Sequence, residues 1–486
     1  MTEPGVLLEL LLEGLPDSRI TGGGSVMVSS LSFDSRSVRP GALFFAIAGE
    51  RTDGHRYLTE AIARGASAVI VERDIDLPPN VASVIVPDSA AALSKIADTF
   101  YRSPSRNLAI AGITGTNGKT TVTHMIAAIA NAAGLSTGIV GTLGTKFDSI
   151  ERPLDHTTPL APELQALLAQ MRDKAVKIVA MEVSSHALAL DRVSDVRFAV
   201  AGLTNVTRDH LDFHETPEAY AAAKRRLFDL AERAVFNADD PHGALWADEL
   251  RGGKPVLTFG IDGPADIRAE NIHMHATGST FDVDGRHFDL HLTGRFNVSN
   301  ALCAIGVARM LGIADDVSAR GLASVEHVRG RMERINGGNI EVIVDYAHTP
   351  DALGSALRAL RETTHGRRIV VFGCGGDRDR GKRREMGAVV AQNADYAYVT
   401  SDNPRTEDPR AIIEDILPGI AGAPHEIEPD RRRAIAAAIR NARAGDTILI
   451  AGKGHETYQI VGKDALPFDD AAEARRALAE RERVPS

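Results

Sequence analysis

The sequence predicts an α/β protein of three domains: a small N-terminal α/β domain, a central P-loop domain on a parallel sheet with a small antiparallel edge, and a C-terminal Rossmann-like domain. Three observations predict it. Short apolar runs alternate with Ala-rich helical stretches, as a parallel sheet requires. A glycine loop, Gly112-Ile113-Thr114-Gly115-Thr116-Asn117-Gly118-Lys119-Thr120-Thr121, lies between a predicted strand and a predicted helix. In the last third, four apolar runs each end in a charged or polar motif.

At 486 residues the chain is too long for one core, and two to four domains are expected. Its net charge of −10 disfavours a general nucleic-acid surface. The two cysteines, Cys303 and Cys374, form neither a disulfide framework nor a zinc cluster, which suits a reducing compartment. Met1 to Gly5 lacks the basic stretch of a signal peptide, and the Leu-rich run that follows is interrupted by Glu9 and Glu13, giving an amphipathic helix. No apolar run is long enough to span a membrane. A cytoplasmic monomer is expected.

Residues 1–104 read as the first domain. Asp34-Ser35-Arg36 precedes the apolar run 42–48, a helix is predicted over 57–64, and strands over 68–71 and 83–86. On its own Asp34-Ser35-Arg36 reads as a capped turn with an internal ion pair. Ser103-Pro104-Ser105 is a linker signal.

Residues 105–329 form the second domain. The strand 108–111 and the helix 122–133 flank the glycine loop. Backbone N–H groups there can converge on a phosphate with no Cβ in the way, and the helix dipole adds positive charge. Lys119 would reach the β/γ-phosphates and the Thr120 hydroxyl would ligate Mg²⁺. The strict P-loop pattern requires Gly at position 113; here it is Ile113, and the first glycine is one residue early at Gly112. The strand 178–181 runs into Glu182-Val183-Ser184-Ser185-His186, where a strand-end carboxylate would anchor Mg²⁺. A strand over 198–203 leads to Asn205, Asp209, His210, Asp212 and His214, which suggest metal or substrate contacts. On spacing alone Lys224-Arg225-Arg226 is a solvated basic helix face. Alternating runs at 279–283 and 287–292 predict an antiparallel edge. Asn297 and Asn300, at the start of a helix reaching Leu311, are either caps or contacts to a nucleotide base.

Residues 330–486 form the third domain. Its four strands, 340–344, 369–372, 397–400 and 448–451, lead into Asp345-Tyr346-Ala347-His348-Thr349-Pro350-Asp351, into 373–380, into Ser401-Asp402-Asn403-Pro404-Arg405 and into Gly452-Lys453-Gly454-His455-Glu456. In an open α/β sheet the crevice at the carboxyl ends of the strands holds the ligand, so four such loops predict one composite site. The cluster Arg378, Arg380, Lys382, Arg383, Arg384 suits small carboxylates or phosphates better than nucleic acid.

Together these motifs closely resemble the Mur ligase family, the ATP-dependent ligases that build the peptide of bacterial cell-wall precursors. The resemblance covers all three domains. Gly115-Thr116-Asn117-Gly118-Lys119-Thr120-Thr121 is the family's P-loop variant. Glu182 to His186, Gly330-Arg331-Met332-Glu333, Asp345 to Pro350 and Gly452 to Glu456 resemble the branch that joins a third residue to UDP-N-acetylmuramoyl-L-alanyl-D-glutamate. The resemblance implies that the first domain binds the UDP-substrate, the second ATP and the third the incoming amino acid. It implies that Gly115 to Thr121 hold the ATP phosphates, with Thr120 and Glu182 on Mg²⁺. His210 and Lys224, the latter as a carbamate, would serve a second Mg²⁺. Asn297, Asn300, Arg331, Asp345 and His348 would frame the nucleotide. Ser35 would meet the UDP end, and Thr157, Thr158, Ser184 and Arg192 the muramoyl dipeptide. Arg378, Asp402, Asn403, Arg405, Gly452 and Glu456 would receive the amino acid. Asp402 to Arg405 marks the diaminopimelate-adding branch, because a planar guanidinium can bind the distal carboxylate that lysine lacks. A lysine-adding ligase, a folylpolyglutamate synthetase and a P-loop switch are the alternatives. Two departures, Leu190 in place of a Gln and Glu50 near a position where some relatives carry His, affect the UDP contacts.

Overall fold

The computed structural model describes residues 5–15, 17–22, 25–48, 52–275 and 277–483. Glu50 therefore lies outside the described residues. The chain divides into two compact units: Met1–Gly112 with Ser136–Val200 and Arg226–Glu232, and Ile113–Leu135 with Ala201–Arg225 and Arg233–Ser486.

In the first unit, strands Arg19–Thr21, Ala82–Ile85, Ala66–Val71, Ala42–Phe45 and Ser30–Ser32 form one sheet in that order, parallel except for the first. Strand residues alternate between two apolar clusters. Leu43, Phe45, Ile70 and Val84 pack with the helix Ser89–Phe100, and Phe44, Val69 and Val71 pack with Leu58 and Ala61. The predicted N-terminal amphipathic helix is Leu8–Leu12, with Leu8, Leu11 and Leu12 buried. Asp34 caps a single 3-10 turn, accepts from Arg36 N–H at 2.9 Å and pairs with the Arg36 guanidinium, which is the capped turn read from the sequence. Strands Ile150–Arg152, Gly144–Phe147, Thr137–Gly141 and Ile178–Glu182 pair in that order, the last two in parallel.

In the second unit, Val200–Leu203, Ala234–Asn237, Val256–Gly260 and Ile267–Arg268 are parallel neighbours. The strands read as an antiparallel edge instead make their own three-stranded sheet, Glu270–His275, Gly278–Val283 and Arg286–Leu290. Periodicity showed the strands but carries no information about their partners.

The C-terminal sheet has the order Glu333–Gly337, Ile340–Asp345, Thr447–Ala451, Arg368–Phe372, Tyr396–Val399, His425–Ile427, parallel except for its first pair. Both faces are covered, which explains its nearly continuous apolar runs. Ile343, Val370, Phe372 and Leu449 face helices Pro350–Thr363, Gly381–Asn393 and Pro409–Ile420. Val342, Val371, Ile448 and Ile450 face Arg431–Asn441 and Asp470–Arg483. The four predicted motifs follow four parallel strands and so share the carboxyl edge. Thr447–Ala451, the last of these strands in sequence, is inserted between Ile340–Asp345 and Arg368–Phe372 and so places its glycine loop near the centre of that edge.

Among the described residues no helix is long and apolar enough to cross a membrane.

Candidate active site

The helix after the glycine loop starts at Lys119, earlier than read, and runs to Ala132. Two glycines let the loop form. Gly115 has φ 145°, and a Cβ there would meet Thr204 Oγ1 at 1.9 Å. Gly118 has φ 88°, and a Cβ would meet Asn300 Oδ1 at 2.2 Å. The loop is fixed from outside: Thr116 N–H donates to Asn205 O at 2.8 Å and Asn117 N–H to Asn205 Oδ1 at 2.9 Å. The Thr116 hydroxyl donates to Thr207 O at 3.0 Å and meets Tyr220 Oη at 3.0 Å. Lys119 Nζ donates to Gly115 O at 2.8 Å and Thr116 O at 3.0 Å, folding over the loop it would use to hold phosphate. Thr120 and Thr121 are buried in the first helical turn. Arg331 donates to Thr120 Oγ1 at 2.9 Å and lies 4.5 Å from the Tyr346 ring centroid.

Asn297 and Asn300 form a buried ladder under the loop. Asn300 Nδ2 donates to Asn297 Oδ1 at 3.1 Å, and Asn297 Nδ2 to Thr293 O at 2.9 Å. Neither side chain caps its helix.

Lys224 corrects the solvated-face reading. The helix is Pro217–Asp229, and Lys224 is only 1% exposed. Its Nζ donates to Gly115 O at 2.9 Å and lies 4.4 Å from the Tyr220 ring centroid. Burial, reinforced by the Lys119 charge and only partly opposed by Asp209, holds its pKa well below the usual lysine range. His210, at φ 54°, introduces the short helix Leu211–His214. Beside it, Asp209 gathers His210 Nε2 at 3.3 Å, His348 Nε2 at 3.7 Å and Lys382 Nζ at 3.9 Å. Burial would raise the Asp209 carboxyl, but these groups outweigh it and keep it ionised. The sequence marked Asp209 without giving it a role; here it is the carboxylate to which two histidines and Lys382 turn.

Asp345 is half-buried. Its carboxylate accepts Met332 N–H and Ala347 N–H, both at 2.7 Å, so it shapes the turn that carries His348. Burial raises its pKa against the pull of Arg331. His348 Nδ1 is 2.8 Å from Tyr346 O.

In the first unit, Glu182 is fully buried at its strand end. Its Oε1 accepts Thr142 N–H at 2.8 Å and its Oε2 the Thr142 hydroxyl at 3.0 Å. A Cβ at Gly141 would meet Glu182 Oε1 at 2.2 Å, so only glycine permits this approach. The hydroxyl of Thr142 also meets Thr157 Oγ1 at 3.1 Å. Thr158 Oγ1 donates to Glu182 O at 2.9 Å and accepts Ser184 N–H at 3.1 Å. Arg192 donates to Thr158 O at 3.1 Å. The expected dipeptide residues thus surround Glu182. Ser35 is elsewhere in this unit, its hydroxyl donating to Glu60 Oε2 at 2.8 Å. Leu190 is exposed.

At the carboxyl edge of the C-terminal sheet, Asn403, Arg405 and Glu456 come together. Arg405, at φ 52°, donates Nη1 to Gly376 O at 2.8 Å; its Nε and Nη2 donate to nothing among the described residues. A Cβ at Gly375 would be 3.0 Å from Arg405 Nη1 and 3.8 Å from Arg378 Cγ, so the two arginines are neighbours. Burial lowers the Arg405 pKa, and Arg378 lowers it further against the opposing charges of Asp402 and Glu456. Gly452 has φ 116°, where a Cβ would meet Asp402 Oδ2 at 2.5 Å.

The basic cluster divides. Arg383 is fully buried on Glu407 at 2.7 Å and Asp415 at 2.9 Å, so it braces the loops instead of meeting ligand. That pairing lowers the Glu407 pKa to about 2. Behind Gly452, Arg431 is buried with Asp470 at 2.7 Å and donates to Ala451 O at 2.9 Å. Neither brace is visible without the tertiary contacts.

The chain matches three family models: "Mur ligase family, catalytic domain" over residues 27–115, "Mur ligase middle domain" over 113–308, and "Mur ligase, glutamate ligase domain" over 330–454. It is 44% identical to a protein of Geobacillus thermodenitrificans (strain NG80-2) named UDP-N-acetylmuramoyl-L-alanyl-D-glutamate--2,6-diaminopimelate ligase, over 98% of this chain and 99% of that one. A protein of the same name from Gloeobacter violaceus (strain ATCC 29082 / PCC 7421) is 45% identical, over 96% of this chain and 95% of its own. A solved structure of a ligase of that name is similar with a TM-score of 0.70 and 32% identity, over 100% of both chains. On this similarity along nearly the whole length, the chain belongs to the Mur ligase family.

Proposed function

We propose that the chain is an ATP-dependent ligase that joins meso-2,6-diaminopimelate to the D-glutamate γ-carboxylate of UDP-N-acetylmuramoyl-L-alanyl-D-glutamate, in peptidoglycan precursor synthesis. Relatives named for this reaction support the reading. The observation that carries the choice of amino acid is the uncommitted edge of Arg405, next to Arg378 and within the field of Glu456. Such a fork suits a carboxylate.

The carboxylate first attacks the γ-phosphorus of ATP, giving an acyl phosphate and ADP. The diaminopimelate amine then attacks the acyl carbon, the C–N bond forms, the C–O bond to phosphate breaks, and the amine loses its proton. Gly115, Thr116, Asn117, Gly118, Lys119, Thr120 and Thr121 hold the phosphates, and Lys119 offsets phosphoryl charge. Asn297, Asn300, Arg331, Asp345 and His348 frame the nucleotide. Ser35, Thr157, Thr158, Ser184 and Arg192 take the UDP-substrate. Arg378, Asp402, Asn403, Arg405, Gly452 and Glu456 form the diaminopimelate site.

The Thr120 hydroxyl, the Glu182 carboxylate, His210 and Lys224 would hold Mg²⁺, the hydroxyl and carboxylate being oxygen donors of the kind such an ion takes. A cationic lysine could not serve, but burial favours the neutral Lys224 amine that reacts with CO₂, and the carbamate presents two hard oxygens. Two Mg²⁺ ions, when bound, neutralise phosphoryl oxygens. A carbamate signal from ¹³CO₂-labelled active enzyme that is lost in Lys224→Ala is expected; its absence from fully active enzyme refutes the carbamate. The domains are assigned as 1–104 for the UDP-substrate, 105–329 for ATP and 330–486 for the amino acid, in a cytoplasmic monomer.

Phosphate release should require ATP, the UDP-dipeptide and diaminopimelate together. Equal release from ATP alone would make the protein a nucleotide hydrolase instead.

A further inference from the structure

Lys453 is fully buried in the loop that follows the central strand of the C-terminal sheet. Its Nζ donates to Asn403 Oδ1 at 3.0 Å and to Glu456 Oε2 at 2.8 Å, and lies 5.7 Å from the Tyr458 ring centroid. Asn403 Nδ2 donates to the same Glu456 oxygen at 2.9 Å, which closes a ring of three side chains. The main chain joins it, since Ile460 N–H donates to Asn403 Oδ1 at 2.9 Å. The amide oxygen of Asn403 therefore accepts two hydrogen bonds, and its nitrogen is turned to Glu456. Glu456 Oε2 accepts two. Glu456 Oε1 accepts none among the described residues and is the oxygen left for a ligand.

Charge follows the same geometry. Lys453 compensates Glu456, which leaves Asp402 as the further carboxylate acting on Arg405 beside Arg378. A distal group carrying both a carboxylate and an ammonium is neutral and satisfies Arg405 and Glu456 Oε1 together. A distal ammonium alone meets a compensated Glu456 and brings no carboxylate to the open edge of Arg405. An uncompensated Glu456 would attract that ammonium.

Resting on the reading of this site as the diaminopimelate pocket, we propose that Lys453 is a positioning and specificity-determining residue: it aims Glu456 through Asn403 and cancels its charge, so that a lone ammonium is rejected.

The test is steady-state kinetics of the full-length protein with meso-diaminopimelate, L-lysine and ATP varied in turn, for wild type, Lys453→Met, Lys453→Gln and Lys453→Met/Glu456→Gln, with thermal melts alongside. In Lys453→Met, KM for diaminopimelate should rise about tenfold or more, the scale of one charge-assisted hydrogen bond, while KM for ATP stays within about twofold. The ratio of kcat/KM for diaminopimelate over lysine should fall about tenfold, because Glu456 is left uncompensated. Lys453→Gln, which keeps a donor, should fall between. Adding Glu456→Gln should return the ratio toward lysine rejection, a non-additivity that a purely structural lysine would not show. If Lys453→Met does not fold, Lys453→Gln carries the same comparison. Unchanged KM and ratio in a folded variant overturn the proposal, as do KM values for diaminopimelate and ATP that rise together with the ratio unchanged. A wild type that does not ligate diaminopimelate removes the reading of the pocket and this inference with it; a wild type that does, with unaltered variants, removes the inference alone.

Discussion

The phosphate loop and the amino-acid loops both leave the carboxyl ends of parallel strands, yet they are built differently. The phosphate loop is one contiguous segment whose shape comes from Gly115 and Gly118 and from partners that brace it, Thr204, Asn205 and Asn300. The proposed amino-acid site is assembled from three loops, with Gly376 near one strand, Asn403 and Arg405 after another, and Lys453 and Glu456 after a third. In the first, backbone conformation does the work. In the second, side chains fifty residues apart fix one another's direction and charge. A local motif should thus fail locally and catalytically, whereas the composite site should fail in selectivity.

The largest effect should break the contiguous loop. Lys119→Ala removes the charge proposed to meet the phosphoryl group and should lower kcat by about 10²–10³ with the fold retained. Near-normal ligation by the folded variant would contradict the role of Lys119. Gly118→Ala sharpens the same side: it places a side chain at φ 88° and against Asn300, which should cost about 1–3 kcal/mol in urea unfolding and weaken ATP binding. A variant as stable as wild type, with unchanged ATP affinity, would mean that the loop relaxes freely.

The smallest effect concerns the brace beneath the amino-acid loops. Pairing with Arg383 lowers Glu407 from the ordinary value of 4.5 to about 2. Its contribution to stability is therefore complete above about pH 4.5 and is lost as the pH falls toward 2. Glu407→Gln should be less stable at neutral pH, and its urea midpoint should decline less steeply between those limits. An identical acid profile would remove the pair from the account.

The contrast also explains what could be read in advance. The glycine loop, the strand-end Glu182 and the four edge motifs were legible because each is a short run whose residue types have one chemistry at that place. Lys453 was not, and Lys224 was marked by the family resemblance but not by its spacing. A lysine in a basic helix face or a glycine-rich loop defaults to solvent, and its burial depends on Gly115 in one case and on Asn403 in the other. Arg383 failed for the same reason: its carboxylate partners come from other elements. The antiparallel strands near residue 280 were read as strands, but register and neighbours are long-range facts. The helix start moved from 122 to Lys119 because threonines in a first turn look polar to a periodicity argument.

The central claim is that the composite site selects its amino acid by a distal carboxylate. Its most direct test is kcat/KM for meso-diaminopimelate and for L-lysine in wild type and in Arg405→Ala. Wild type should prefer diaminopimelate by about 10⁴–10⁵, as a site built for a polar group rejects the analogue lacking it. Arg405→Ala should lose most of that preference without gaining much lysine activity. A wild type that uses lysine as well as diaminopimelate, or an Arg405→Ala variant with the same ratio, would contradict the claim.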